Sequence, residues 1–509
     1  MPRIAFRPLC LALPISLLSQ AAFADLTPAQ VWGDWRQYME GMGYSVQATE
    51  TAGGGNLTIS DLEIGFQVPD EEGTMTMSFG TLSFEQMSDG SVAIVMPAAM
   101  PLSVTGSDRS TDESFTMNMT YAQTGHSVLV SGTSEEMTYD YNADTFALTL
   151  NELIVEDEVF GAENAKLSVA GTGFGTSTLM SKGDTRGYEQ TGSIDNLTYD
   201  IFINDPDDTA QVSFAGGITG VEVEGGGTLP LQINDSTDMA AMMRAGFDVA
   251  GLISYGSGNT QINVVDPQNG NFAAQTSTAG GALSLAMSAE GLVYEVGQSN
   301  LAMTLNVADL PFPIQFSMEE GEFSVAMPVA KSDMPQNFAF GLTLANFVMS
   351  DMIWGIFDPA GQLPRDAATL DVDMSGTVRL DVDLLDPQAA GRMGQEAPGQ
   401  VESLTISTLV LDAVGARLEG SGDVTFDNSD FQTVPGMPKP VGQLNLSLAG
   451  ANALIDKLVA MGLLPDEEAM GARMMMGLFA VPGAEPDTLN SRVEFTDEGQ
   501  ILANGQRIK

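Results

Sequence analysis

The chain has 509 residues, with 67 Asp and Glu against 19 Lys and Arg, and a single His and a single Cys. A formal charge of −48 excludes a nucleic-acid binder, because affinity there comes largely from cations that neutralise phosphates. One Cys and one His exclude most zinc, haem and iron–sulfur centres, which need several such ligands. The apolar share of 43% is enough to build a core.

Residues 1–24 read as a secretory signal peptide. Arg3 and Arg7 give the positive start, 9–18 is a short apolar stretch broken by Pro14, and Ala22-Phe23-Ala24 is an A-x-A cleavage site. Cys10 lies near the start of the apolar stretch, away from the cleavage site, so it does not read as a lipoprotein anchor. Cleavage would remove it, leaving an exported chain with no disulfide that must be held by its own core. The expectation is a periplasmic protein with no stable transmembrane anchor.

Thr27-Pro28-Ala29-Gln30 is a capping box with Pro at the first helical position. The helix it opens carries Val31, Trp35, Tyr38 and Met42 on one stripe, and Gly41 or Gly43 ends it. Beyond it the chain is written in period two. Met75, Met77 and Phe79 alternate with threonines and serine, as do Phe115, Met117, Met119 and Tyr121 with Thr116, Asn118 and Thr120. Met137, Tyr139 and Tyr141 are followed by Phe146, Leu148 and Leu150. The rhythm returns at Leu283, Leu285 and Met287, at Leu292, Tyr294 and Val296, and at Leu301, Met303, Leu305 and Val307. It continues at Phe323, Val325 and Met327, at Leu370, Val372 and Met374, and at Val378, Leu380, Val382 and Leu384. Successive strand side chains point to opposite faces, so each run makes one apolar and one wet face, which favours antiparallel pairing.

Glu71-Glu72-Gly73, Ser88-Asp89-Gly90, Asn142-Ala143-Asp144, Ala289-Glu290-Gly291, Glu319-Glu320-Gly321 and Asn504-Gly505 read as turns between strands of about five to eight residues. Short helices are expected from Asp238 (Met239, Met242 and Met243 inward), at Ser350 through Ile353, Trp354 and Phe357, from Asn452, and after Pro465. The predicted fold is mainly β: long curved antiparallel meander sheets, sandwich- or groove-like, with a few short flanking helices. Gly225-Gly226-Gly227 and the helix after Thr237 divide it into an N-terminal half, 25–235, and a C-terminal half, 236–509, with two short helices near 452–480. A weaker break runs from Asp386-Pro387 to Gly399.

No catalytic, cofactor-binding or metal-ligating residue is assigned. His126, in Gly125-His126-Ser127, reads as a hairpin-turn residue. Gly171-Thr172-Gly173-Phe174-Gly175 lacks the Lys of a phosphate loop and reads as a turn. Asp371, Asp373, Asp381 and Asp383 alternate with apolar residues, as a wet strand face does. Asp205, Asp207 and Asp208 lie together without the spacing of a calcium loop. Met474, Met475 and Met476 lack the His or Cys that a copper site would add. The 30 methionines suit apolar surfaces that fit varied shapes. The runs are too short, and aromatics too few, for an outer-membrane barrel.

Three pieces carry a family likeness. One is the signal segment followed by the helix 27–43. Another is Ile356-Phe357-Asp358-Pro359 running into Leu363-Pro364-Arg365-Asp366-Ala367-Ala368-Thr369-Leu370. The last is 444–450 leading into helix, then Val493-Glu494-Phe495-Thr496 and 501–508. Together they resemble a bacterial family of secreted proteins, domain of unknown function 2125. The resemblance implies a Gram-negative envelope protein and supplies no functional residue. One-sided strands with few helices to cover them need a dry neighbour. Two functions follow as expectations: a non-enzymatic protein that holds lipid or another hydrophobic molecule in an apolar groove, or an envelope scaffold that binds another protein. A hydrolase built on a carboxylate pair and an outer-membrane barrel are the remaining, less favoured classes.

Overall fold

The computed structural model describes residues 26–67, 73–108, 113–156, 158–204, 210–232, 238–386 and 397–509. The signal segment, Glu71-Glu72, the Asp205, Asp207 and Asp208 cluster, the boundary at 235 and most of the 386–399 loop lie outside them.

Strand makes up 63% of the chain and helix 11%, and the strands form one antiparallel meander. Most strands pair with the strands next to them in sequence, from Ser45–Gly53 beside Asn56–Gln67 at one end to Thr488–Phe495 beside Ile501–Ala503 at the other. Where a ribbon is broken in two its halves pair with the halves of the next, as Gly73–Phe79 with Ala99–Asp108 and Asp248–Tyr255 with Gly281–Ser288. The sheet is open, since Ser45–Gly53 pairs on one side only among the described residues. It also continues across the 235 region, because Gln211–Leu229 pairs with Asp248–Tyr255 and Ser257–Val265. Among the described residues five helices flank it: α1 (Pro28–Gly41), α2 (Met239–Arg244), α3 (Asp351–Phe357), α4 (Ala451–Ala460) and α5 (Asp466–Phe479).

The strands are longer than the spacing of turn residues predicts. Glu136–Val155 runs 20 residues, about 65 Å of extended chain, straight through Asn142-Ala143-Asp144. Gly171-Thr172-Gly173-Phe174-Gly175 lies inside Ala165–Lys182, and Glu319-Glu320-Gly321 lies inside Ile314–Met327. His126 is no hairpin residue. It joins Glu113–Thr124 to Ser127–Gly132, two halves of one ribbon that both pair with Glu136–Val155. Only the first part of the 378–384 run is strand, which ends at Leu380.

These misread segments form one crease across the sheet. Asp61, Gly173, Gly220, Asn300 and Asn346 have φ between 48° and 64°, the left-handed region, inside five ribbons spread along the sheet. A left-handed residue there adds one to the count and shifts the alternation, as a bulge does. Hence Leu342 and Leu344 are followed on the same face by Phe347, a step of three across Asn346, and in Glu136–Val155, beside Gly173, Tyr141 and Phe146 both pack on Phe174. The crease preserves one apolar face along the full length of each ribbon.

At the N-terminal end the sheet curls around α1. The helix is capped as its sequence predicts, with Thr27 Oγ1 accepting from the Gln30 N–H and Gln30 Oε1 accepting from the Thr27 N–H. Its buried residues are Pro28, Val31, Trp32 and Asp34, so Trp32 turns inward beside Val31 and Tyr38 is not among them. The Trp32 indole N–H donates to Glu50 Oε1 at 2.8 Å, in the first strand. Asp34 pairs with Arg186, on the eighth ribbon of the ladder counted from that strand, and with Lys182 Nζ at 3.0 Å. Seven strand spacings separate those two contacts in the ladder, about 34 Å for a flat sheet, and an α-helix is only about 10–12 Å across. The sheet must therefore wrap the helix. The core it encloses holds Trp32, Ile59, Phe84, Val92, Val130 and Met137, all within residues 26–137.

The other helices sit on the rim. Met242 and Met243 of α2 are buried as expected. Ser350 precedes α3 without capping it: its hydroxyl is buried and has no partner. α4 takes its cap from elsewhere, since Asp487 accepts the backbone N–H groups of Asn452 and Ala453.

Candidate functional site: the apolar face

Strand register shows how the apolar face is assembled. Val223, Ile253, Leu283, Val296, Phe323, Leu342, Val372 and Leu409 stand directly opposite one another on consecutive ribbons. On the far side of the crease a parallel lane runs Leu167, Ile201, Phe214, Ile262, Ala274, Leu305 and Ile314. The opposite face of the same ribbons carries Ser284, Glu295, Ser324, Gly341, Asp373 and Thr408 in register. Charge and grease are thus separated onto two sides of one sheet.

The apolar side is not sealed. Ile253 is 45% exposed, Leu285 42% and Phe323 36%. In a two-sheet sandwich such inward positions would be buried against a facing layer. The chain as a whole exposes 28997 Å², against about 18,000 Å² for a compact monomer of its mass. The face is concave in its middle. Side chains from Tyr199 to Met303, on ribbons four steps apart in the ladder, line one pocket of about 300 Å³.

Elsewhere among the described residues the chemistry is sparse. His126 Nε2 lies 3.1 Å from the Met96 carbonyl oxygen, at the junction of the two half-ribbons. Asp371 accepts from the Thr343 hydroxyl on the wet face, while Asp383 accepts the Lys331 backbone N–H and lies beyond the strand. Among the described residues no group of three or more His, Cys, Asp or Glu is placed to hold a metal ion, and no helix is long and apolar enough to cross a membrane. Burial, followed by the negative charge of Asp34, raises the Tyr139 phenol well above its ordinary value. It stays neutral beside the Asp34–Arg186 pair.

Sequence reasoning missed three features. The crease was signalled by each three-residue step in the alternation. The buried Asp34–Arg186 pair, 152 residues apart, has no local signal. The apolar stripe of α5 includes Met470, 72% exposed, beside the noted Met474 and Met475.

No curated protein and no solved structure matches the chain. Of the three pieces carrying the family likeness, 356–370 and nearly all of 444–508 fall within a family match, and the helix 27–43 falls outside it. That match, over residues 258–505, is to the family described as an uncharacterized protein conserved in bacteria, domain of unknown function 2125, the family the sequence resembles.

Proposed function

We propose that the protein is a non-enzymatic periplasmic component of the cell envelope that holds the acyl chains of a lipid against its apolar sheet face. One observation carries this reading: a register-matched apolar surface, in two lanes that cross eight and seven ribbons, remains partly open to solvent and has no second sheet over it among the described residues. Exposed apolar area of that extent on a soluble protein marks a binding surface. The formal charge of −48 repels anionic headgroups, so affinity comes from chain insertion.

Native mass spectrometry of protein purified gently from the envelope tests this. Co-purifying lipid that is lost from Leu285→Asp supports it, and lipid-free protein at every preparation defeats it. A second reading, docking of an envelope protein, is favoured by α5, where Met470, Met474 and Leu478 form an exposed stripe at helical spacing. Crosslinking from position 474 in cells would give one dominant protein adduct on that reading.

A further inference from the structure

The apolar face is interrupted at one place. Where neighbouring lanes carry Val, Ile or Leu, the middle ribbons present Tyr199, Tyr255, Thr260, Thr276, Thr278 and Gln298. All six project from the same face as Ile253 and Phe214, and all six line the pocket of about 300 Å³. No charged side chain lines it. Two of its polar groups are satisfied internally: the Tyr199 hydroxyl lies 2.6 Å from Thr260 Oγ1, and Thr278 Oγ1 donates to the Tyr255 hydroxyl at 3.3 Å. Thr276 and Gln298 make no side-chain hydrogen bond to other described residues. The room comes from glycine: a Cβ at Gly216 would stand 2.5 Å from the Tyr199 hydroxyl, and one at Gly281 2.6 Å from that of Tyr255.

Threonine and valine have nearly the same shape, so threonine at three inward positions is a chemical choice. Polar groups on an apolar surface are unfavourable unless something hydrogen-bonds to them. An anion would need cations or clustered N–H donors, and the pocket offers neither. We propose that this pocket receives the uncharged glycerol-ester portion of an acylglycerol. Ester carbonyls accept from the Thr276 and Tyr255 hydroxyls, a free glycerol hydroxyl donates to the Gln298 amide oxygen, and the chains lie along the apolar lanes on either side. The proposal deepens the acyl-chain reading above and rests on it.

The test titrates delipidated protein with fluorescent dioleoylglycerol, its phosphatidic acid counterpart, and diphenylhexatriene, a pure hydrocarbon that reports only apolar binding. The parent should bind dioleoylglycerol more tightly than phosphatidic acid. The double variant Tyr255→Phe/Thr276→Val, which removes two hydroxyls and little volume, should bind dioleoylglycerol about tenfold more weakly and diphenylhexatriene unchanged. Equal dioleoylglycerol affinity in variant and parent, or a preference for phosphatidic acid, overturns the pocket while leaving the acyl-chain reading intact. Failure of the parent to bind diphenylhexatriene overturns both. Circular dichroism of the variant, matching the parent, confirms that the comparison is between folded proteins.

Discussion

The two ends of the sheet solve the same problem in different ways. Around residues 26–137 the apolar face meets a helix: Trp32 and Trp35 fill the curl, with Trp35 edge-on to Phe84 at 5.5 Å and stacked near Tyr139 at 6.3 Å. From the strand Gln211–Leu229 onward the same alternation continues, yet its Ile, Leu and Phe side chains stay partly exposed. The difference lies in what faces the strands, since their composition is alike. A sheet face becomes a core only when another element is delivered onto it, and α1 is delivered onto the face at one end. The remainder is a surface kept available.

Four experiments break or sharpen that contrast. Trp32→Ala should cost about 3–5 kcal/mol in urea unfolding, as for a large buried aromatic, with hydrogen exchange rising first in 26–137. If protection falls equally throughout the sheet, the two ends are one cooperative unit. Arg186→Leu leaves the buried Asp34 carboxylate with the Lys182 ammonium as its one remaining cation and should cost up to about 3–5 kcal/mol, while the double variant with Asp34→Leu recovers most of it. No recovery would mean the pair is not what fastens α1. Gly173→Ala places a side chain at φ 64° and against the Asp195 carboxylate, and should cost about 1–2 kcal/mol, measured by the same unfolding curve. Leu285→Ala, on the open face, should cost about 1 kcal/mol or less, because little of its surface is removed from water. A cost like that of Trp32→Ala would show that the face is covered.

The smallest effect is acid sensitivity near α3. Asp358 is fully buried, and the backbone N–H groups of Gln362 and Leu363 hold its carboxyl below the usual carboxylate range. A depressed folded value contributes stability above the unfolded value of about 3.9 and loses it as pH falls through the folded one. Exchange in 351–363 should therefore quicken below about pH 4, and Asp358→Asn should abolish that dependence.

Much of this was legible in the residues themselves. The Thr27 capping box, the starts of α2 and α5, and every one-sided strand are local patterns, set by helix and strand geometry. The crease was half legible. The step from Leu344 to Phe347 marks it, but Asp144 and Glu319-Glu320-Gly321 are chemically turn residues, and only pairing partners reveal that the chain runs straight on. The hydroxyl pocket could not be seen at all, because Tyr199 and Thr276 are far apart in the chain and meet through strand register.

The alternation of greasy and polar side chains by itself determined that this protein is antiparallel ribbon, since a period of two admits no other backbone. Register, curl and the placement of α1 decided which stretch of that ribbon becomes interior and which stays open. Those depend on contacts between residues far apart in the chain, Asp34 with Arg186 among them at 152 positions, and a pattern that repeats every second residue carries no record of such distant meetings.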